Sequence, residues 1–180
     1  MVRYLLEHKT SFLPPPGGMI VLSGSGVLSM SRTGPGSSFA RNKNTDIFRL
    51  RPNTRFMEYG TRALLGALDP EEAKTNRYIS PTSPHISPTF ENFPRSYIAA
   101  GGAEILCDES TIFAEHLKRY APSDDWVVLD IPEDAVHDFC VYSVSQGTVH
   151  AVHIAHVSYQ WHNPERKDVL KRLGEWIDKM

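Results

Sequence analysis

The chain has 180 residues, a formal net charge of −2, two cysteines and 41% hydrophobic residues. That is one domain's worth of sequence, able to bury a core, with no electrostatic case for nucleic acid or an anionic membrane. Cys107 and Cys140 make no disulfide framework and suit a reducing compartment.

Residues 2–9 read as the last turns of a helix with Val2, Leu5 and Leu6 on its apolar side, too short and too polar for a signal peptide or a membrane span. Leu13-Pro14-Pro15-Pro16 leads into an apolar run over 19–23, and Ser23-Gly24-Ser25-Gly26 ends it. Val27 to Ser31 and then Gly34-Pro35-Gly36-Ser37-Ser38 read as a loop. Over 45–78, Phe56, Tyr59, Leu64, Leu65 and Leu68 recur at near-helical spacing, and Asp69-Pro70-Glu71-Glu72 begins another short helix. Residues 81–94 are rich in Pro and Ser and form an ordered loop or a linker.

The most informative stretch is 93–139. Its apolar run over 96–100 is long enough for a buried strand and too short for a helix. Gly101-Gly102 lets the backbone turn tightly after it. Ile112, Phe113, Leu117 and Tyr120 then mark one helix face, with Asp108 and Ser110 as candidate N-caps. A second apolar run over 126–129 ends at Asp130-Ile131-Pro132, and a loop carrying His137 follows. The order is strand, acidic loop, helix, strand, histidine loop. It predicts an α/β fold with a parallel sheet, in which both loops open at the carboxyl ends of their strands. A buried acid there fixes the tautomer of a histidine, which then takes a proton from a hydroxyl nucleophile. By position Glu104 is the acid and His137 the base. Asp108 is the alternative acid, although it also suits the start of the helix, and His137 alone could equally be a surface histidine.

These residues carry a family resemblance. Glu104-Ile105-Leu106-Cys107-Asp108 is similar to the Asp-Pro-Leu-x-Asp motif of the hormone-sensitive-lipase-like esterases, whose first position is the catalytic acid; here Glu replaces Asp and Ile105 the proline. His137-Asp138-Phe139 matches that family's His-Gly-Phe or His-Asp-Phe motif. Leu13 to Pro16 before 19–23 resembles the approach to the strand after the nucleophile helix, and Ile79-Ser80-Pro81 the return from the cap. The resemblance implies the C-terminal part of an α/β-hydrolase, with 45–78 as part of a helical cap. It implies hydrolysis of a small apolar carboxylic ester through an acyl-enzyme. The proline-rich loops and Trp161-His162-Asn163-Pro164-Glu165-Arg166 resemble fungal members, some of which act in secondary metabolism.

The family's Gly-x-Ser-x-Gly elbow and its His-Gly-Gly oxyanion loop do not occur in the sequence. The expectation is therefore a chain that lacks the N-terminal strands and the nucleophile, and that is inactive alone. Ser23 and Ser25 are the substitute nucleophiles to weigh, but an elbow needs a helix immediately after it and a loop follows here. In the family this turn reads Ser-Pro-Trp with a following aspartate, so a degenerate strand-end loop is the plainer reading. The alternatives to a hydrolase are a remnant serving as an interaction, dimerisation or apolar-ligand-binding module, or one half of a split enzyme completed by an N-terminal fragment.

Residues 141–160 interrupt the resemblance as an apparent insertion, read as a retained intron, with His150, His153 and His156 in it. On a strand His153 faces away from the other two and no carboxylate joins them, so no metal and no cofactor is expected. Val169, Leu170, Leu173, Trp176 and Ile177 form the amphipathic closing helix. The partners expected are the ester and a homo-oligomer or complementing fragment, with no nucleic acid and no membrane span. The location expected is cytoplasmic; Asp178-Lys179-Met180 loosely resembles a peroxisomal ending.

Overall fold

The computed structural model describes residues 1–8, 13–29, 31–46, 54–140 and 164–180. The 141–160 stretch, with its three histidines, and Trp161 to Asn163 lie outside the described residues. In chain order the elements are α1 (Val2–His8), β1 (Gly18–Leu22), α2 (Ser38–Asn42), α3 (Thr54–Leu65), α4 (Glu72–Thr75), β2 (Arg95–Ala99), α5 (Cys107–Lys118), β3 (Val127–Asp130) and α6 (Pro164–Ile177).

The three strands form a parallel sheet in the order β1-β2-β3. β2 is central, and from Ser96 to Ala99 every residue is buried. That is why it reads as an unbroken apolar run rather than an alternating one. The register puts Ile20, Tyr97 and Val128 in one row and Val21, Ile98 and Leu129 in the next. Side chains of neighbouring rows point to opposite faces, so each face needs its own cover.

α5 and the loop before β2 cover one face, where Phe90, Ile98, Ala114, Leu117 and Val127 form a core cluster. α6 covers the other, where Val169 and Trp176 pack on Tyr97 and Ala99. A polar tie reinforces it: Asp130 accepts from Tyr97 Oη at 2.5 Å and pairs with Arg172 of α6 through two contacts of 2.8 Å. α1 docks beside the loop before β2 through Arg3, whose buried guanidinium lies 4.7 Å from the Phe90 ring centre and donates to the Thr89 carbonyl.

Several local expectations need correction. α5 begins at Cys107 with Leu106 at its N-cap position and no side-chain cap, so Asp108 and Ser110 lie inside the helix. Their polar groups serve other segments: Asp108 Oδ2 accepts from Ser38 N–H at 2.6 Å, and Ser110 Oγ donates to the Gly24 carbonyl at 3.1 Å. The loop read over 34–38 holds as far as Ser37; from Ser38 the chain forms the short helix α2, capped by Ser37, whose hydroxyl accepts from Ala40 N–H. In the 45–78 segment Leu65 is buried, but Tyr59, Leu64 and Leu68 are exposed. Residues 81–94 take the ordered-loop reading, with Thr82, Ser83 and Phe90 buried in it and Ser80 just before it.

Candidate active site

Parallel strands deliver all their C-terminal loops to one end of the sheet, and the polar residues of interest gather there. Ser23 follows β1, Glu104 lies in the turn after β2, and His137 lies in the loop after β3. Glu104 is fully buried, and Ser23 and His137 are 6% and 7% exposed. His137 Nδ1 lies 3.6 Å from Glu104 Oε2, an ion-pair separation longer than an ordinary N–H···O bond. On the other side of the ring, Nε2 lies 3.5 Å from Asp138 Oδ2.

Backbone contact between the acid and base loops makes this approach possible. Ala100, Gly102 and Ala103 donate their N–H groups to the carbonyls of Asp130, Pro132 and Ala135 at 2.9–3.1 Å. A Cβ on Gly101 would stand 2.2 Å from the Ala135 oxygen, and one on Gly102 2.3 Å from the Glu133 oxygen. The expected tight turn is present, closed by Glu104 N–H donating to the Gly101 carbonyl at 3.2 Å with no positive φ at either glycine, and what the two glycines serve in addition is close approach.

A second support comes from α2 and the residues after it. Asn42 Nδ2 donates to the carbonyls of Gly102 and Glu104, both at 2.8 Å, and Thr45 Oγ1 donates to that of Ala103. Asp46, itself buried, accepts from Ile105 N–H at 2.7 Å, while Ser38 Oγ donates to the Ile105 carbonyl. These bonds hold the acid turn along most of its length. Asp108, the alternative acid, points into this clamp through Ser38 and Arg41 rather than toward His137.

Ser23 bonds to both of the other loops. Its hydroxyl donates to Glu104 Oε2 at 2.7 Å and accepts from Asp138 N–H at 2.9 Å. A nucleophilic serine donates to its histidine, whereas the Ser23 hydroxyl donates to a carboxylate. Ser25 Oγ donates to the Val27 carbonyl at 2.8 Å, within its own loop. Both Ser23 and Asp138 adopt left-handed φ, +47° and +57°, so the contact joins two locally strained residues.

Burial alone works against a charged imidazole at His137, but the Glu104 carboxylate outweighs it, and Asp138 and Asp46 add to it. The net effect raises the His137 pKa above its ordinary 6.5. A histidine that binds its proton more tightly when folded stabilises the fold fully below the unfolded value, and that contribution disappears as pH rises through the folded value. The urea midpoint of the chain should accordingly fall between about pH 6 and 8 more steeply than that of Glu104→Gln, because the amide removes the charge that His137 answers to. Parallel slopes would contradict the coupling.

Sequence reasoning passed over Asn42, Thr45 and Asp46. The Ser37 cap ahead of Phe39 was the available signal for a short helix, but bonds to distant backbone groups leave no periodic trace. Among the described residues no three His, Cys, Asp or Glu side chains are grouped to hold a metal ion, and no helix is long and apolar enough to cross a membrane.

No family model matches the chain, and no curated protein matches it. Solved structures do. An esterase of the bacterial hormone-sensitive lipase family superposes with a TM-score of 0.63 at 20% identity, covering 99% of this chain and 48% of its own. Carboxyl esterase 2 of the mycorrhizal fungus Tuber melanosporum gives 0.62 at 14% identity, covering 96% and 46%. A hormone-sensitive-lipase homologue from a metagenome library gives 0.60 at 22% identity, covering 97% and 50%. The parallel sheet with its flanking helices is thus part of an α/β-hydrolase fold, and the chain spans about half the length of the esterases it resembles.

Proposed function

We propose that the loops after β2 and β3 form the acid–base part of a serine-type carboxylic-ester hydrolase site, with Glu104 orienting His137. The observation that carries this reading is the buried approach of Glu104 Oε2 to His137 Nδ1 at the carboxyl ends of two adjacent parallel strands. The esterase folds it resembles agree with it. In the reaction, His137 Nε2 takes the proton of a hydroxyl nucleophile as that oxygen bonds to the ester carbon. The tetrahedral adduct then collapses, and the leaving alkoxide takes the proton from Nε2. Water repeats the two steps on the acyl-enzyme and releases the acid.

The nucleophile of this scheme is not Ser23, whose proton is committed to Glu104, nor Ser25, bonded within its loop. With no Gly-x-Ser-x-Gly elbow in the 180 residues, the chain alone has little or no turnover. The test is the intact mass of the purified chain after a fluorophosphonate probe, beside a full-length esterase as positive control. The expected result is labelling of the control only. A stoichiometric adduct on one serine of this chain would overturn the absence of a nucleophile.

A further inference from the structure

We propose that Ser23 is a positioning residue of the acid–base pair: its hydroxyl occupies the Glu104 oxygen that faces His137 Nδ1, and so limits how strongly that carboxylate holds the imidazole proton. The inference rests on the Glu104–His137 reading given above.

Three observations carry it. The acceptor of the Ser23 hydroxyl and the nearest carboxylate oxygen to Nδ1 are the same atom, Oε2, at 2.7 Å and 3.6 Å. Oε1 has no hydrogen-bond partner among the described residues, so the carboxylate is not simply filling both of its oxygens. Asp138 N–H donates to Ser23 Oγ, which aims the hydroxyl proton away from the base loop and toward the acid.

The chemistry follows from two donors sharing the charge of one oxygen. One carboxylate oxygen can accept two hydrogen bonds, but a hydroxyl donating at 2.7 Å draws on the negative charge that would otherwise hold the imidazole proton, and here the hydroxyl has the shorter contact. A histidine clamped too tightly by its acid would stay protonated at neutral pH and could not act as a base. A catalytic base works best when its pKa lies near the operating pH. Burial of the imidazole acts against protonation, while Glu104 from the β2 turn, Asp138 from its own loop and Asp46 from beyond α2 act for it; the Ser23 hydroxyl reaches the histidine only through its bond to Glu104. The left-handed φ at Ser23 fits such a role, since a strained non-glycine residue persists only where its surroundings over-determine it.

The experiment is an NMR pH titration of the His137 imidazole in the 180-residue chain, in Ser23→Ala, in Ser23→Gly and in Glu104→Gln. Glycine removes the hydroxyl while relaxing the left-handed backbone, so it keeps the test open if alanine folds poorly. The expected result is a His137 midpoint raised by about 0.5–1 pH unit in both Ser23 variants, the size of shift a lost competing donor produces, and lowered in Glu104→Gln. A purely structural Ser23 would change the unfolding midpoint and leave the titration where it was. Ser23 variants that leave His137 unmoved or lower it, while Glu104→Gln lowers it, overturn the role of Ser23 and spare the acid–base pair. No response to Glu104→Gln overturns the acid–base reading itself.

Discussion

Gly101→Ala should destabilise the chain by roughly 3 kcal/mol, at the upper end of what overpacking costs, because its methyl has only backbone to displace. The obstruction is the Ala135 carbonyl oxygen, 2.2 Å from the new carbon, with the Val136 oxygen at 2.8 Å. A flexible side chain could swing aside from such a contact, but two bonded loops cannot. The acid turn must move away from the base loop, and the bonds from Gly102 to Pro132 and from Ala103 to Ala135 lengthen with it. Gly102→Ala meets Glu133 in the same way and should behave alike. Urea unfolding gives the stability, and the His137 titration gives the geometry: both variants should lose the upward displacement that Glu104 imposes. Unchanged unfolding would mean that the loops are less tightly joined than the bonds between them imply.

Phe139→Ala should cost about 3–5 kcal/mol, the usual range for emptying a buried phenylalanine site. Phe139 is 3% exposed and packs with Ala135, Cys140, Val169 and Trp176 beneath the base loop. It lies two residues after His137, so its loss also frees the loop that places the imidazole. Phe139→Leu refills most of the volume and should recover more than half of the stability. If alanine and leucine cost the same, the ring is not the anchor it looks to be.

The two expectations differ in how readable they were. Phe139 stood in a motif whose order, histidine then a buried aromatic, could be read directly from the chain. β2 and β3 were readable because buried parallel strands are short unbroken apolar runs, and α6 because a surface helix repeats its apolar residues. Gly101 and Gly102 were visible as glycines, but the reason for them lies in residues 133–136, which no local pattern connects to them. The clamp formed by Asn42, Thr45 and Asp46 was hidden for the same reason: each bonds backbone some 58 residues or more away in sequence. Ser23 was legible as a strand-end serine, weighed as a substitute nucleophile and read more plainly as part of a degenerate loop. Its partners, Glu104 and Asp138, are 81 and 115 residues away in sequence, so no local pattern announces them.

α2 shows how a polar segment can matter without apolar periodicity. Gly34-Pro35-Gly36 breaks the chain, Ser37 caps a single short helix, and polar residues in and behind it turn inward to meet backbone groups of the acid turn. Buried backbone groups need partners, and a turn packed between two loops cannot find them in water. Asp46 meets this demand at Ile105 and adds a negative charge near His137.

The most direct test of the central claim is the tautomer of neutral His137, read from its ring nitrogen shifts at a pH above its midpoint. Two carboxylates compete for the imidazole, Glu104 at Nδ1 and Asp138 at Nε2, at nearly equal distances of 3.6 Å and 3.5 Å. Glu104 is fully buried, whereas the Asp138 side chain is 33% exposed and screened by water. The proton should therefore sit on Nδ1, leaving the Nε2 lone pair free to accept a proton from a hydroxyl. A proton found on Nε2 would mean that Asp138 holds the ring and that Glu104 does not orient a base.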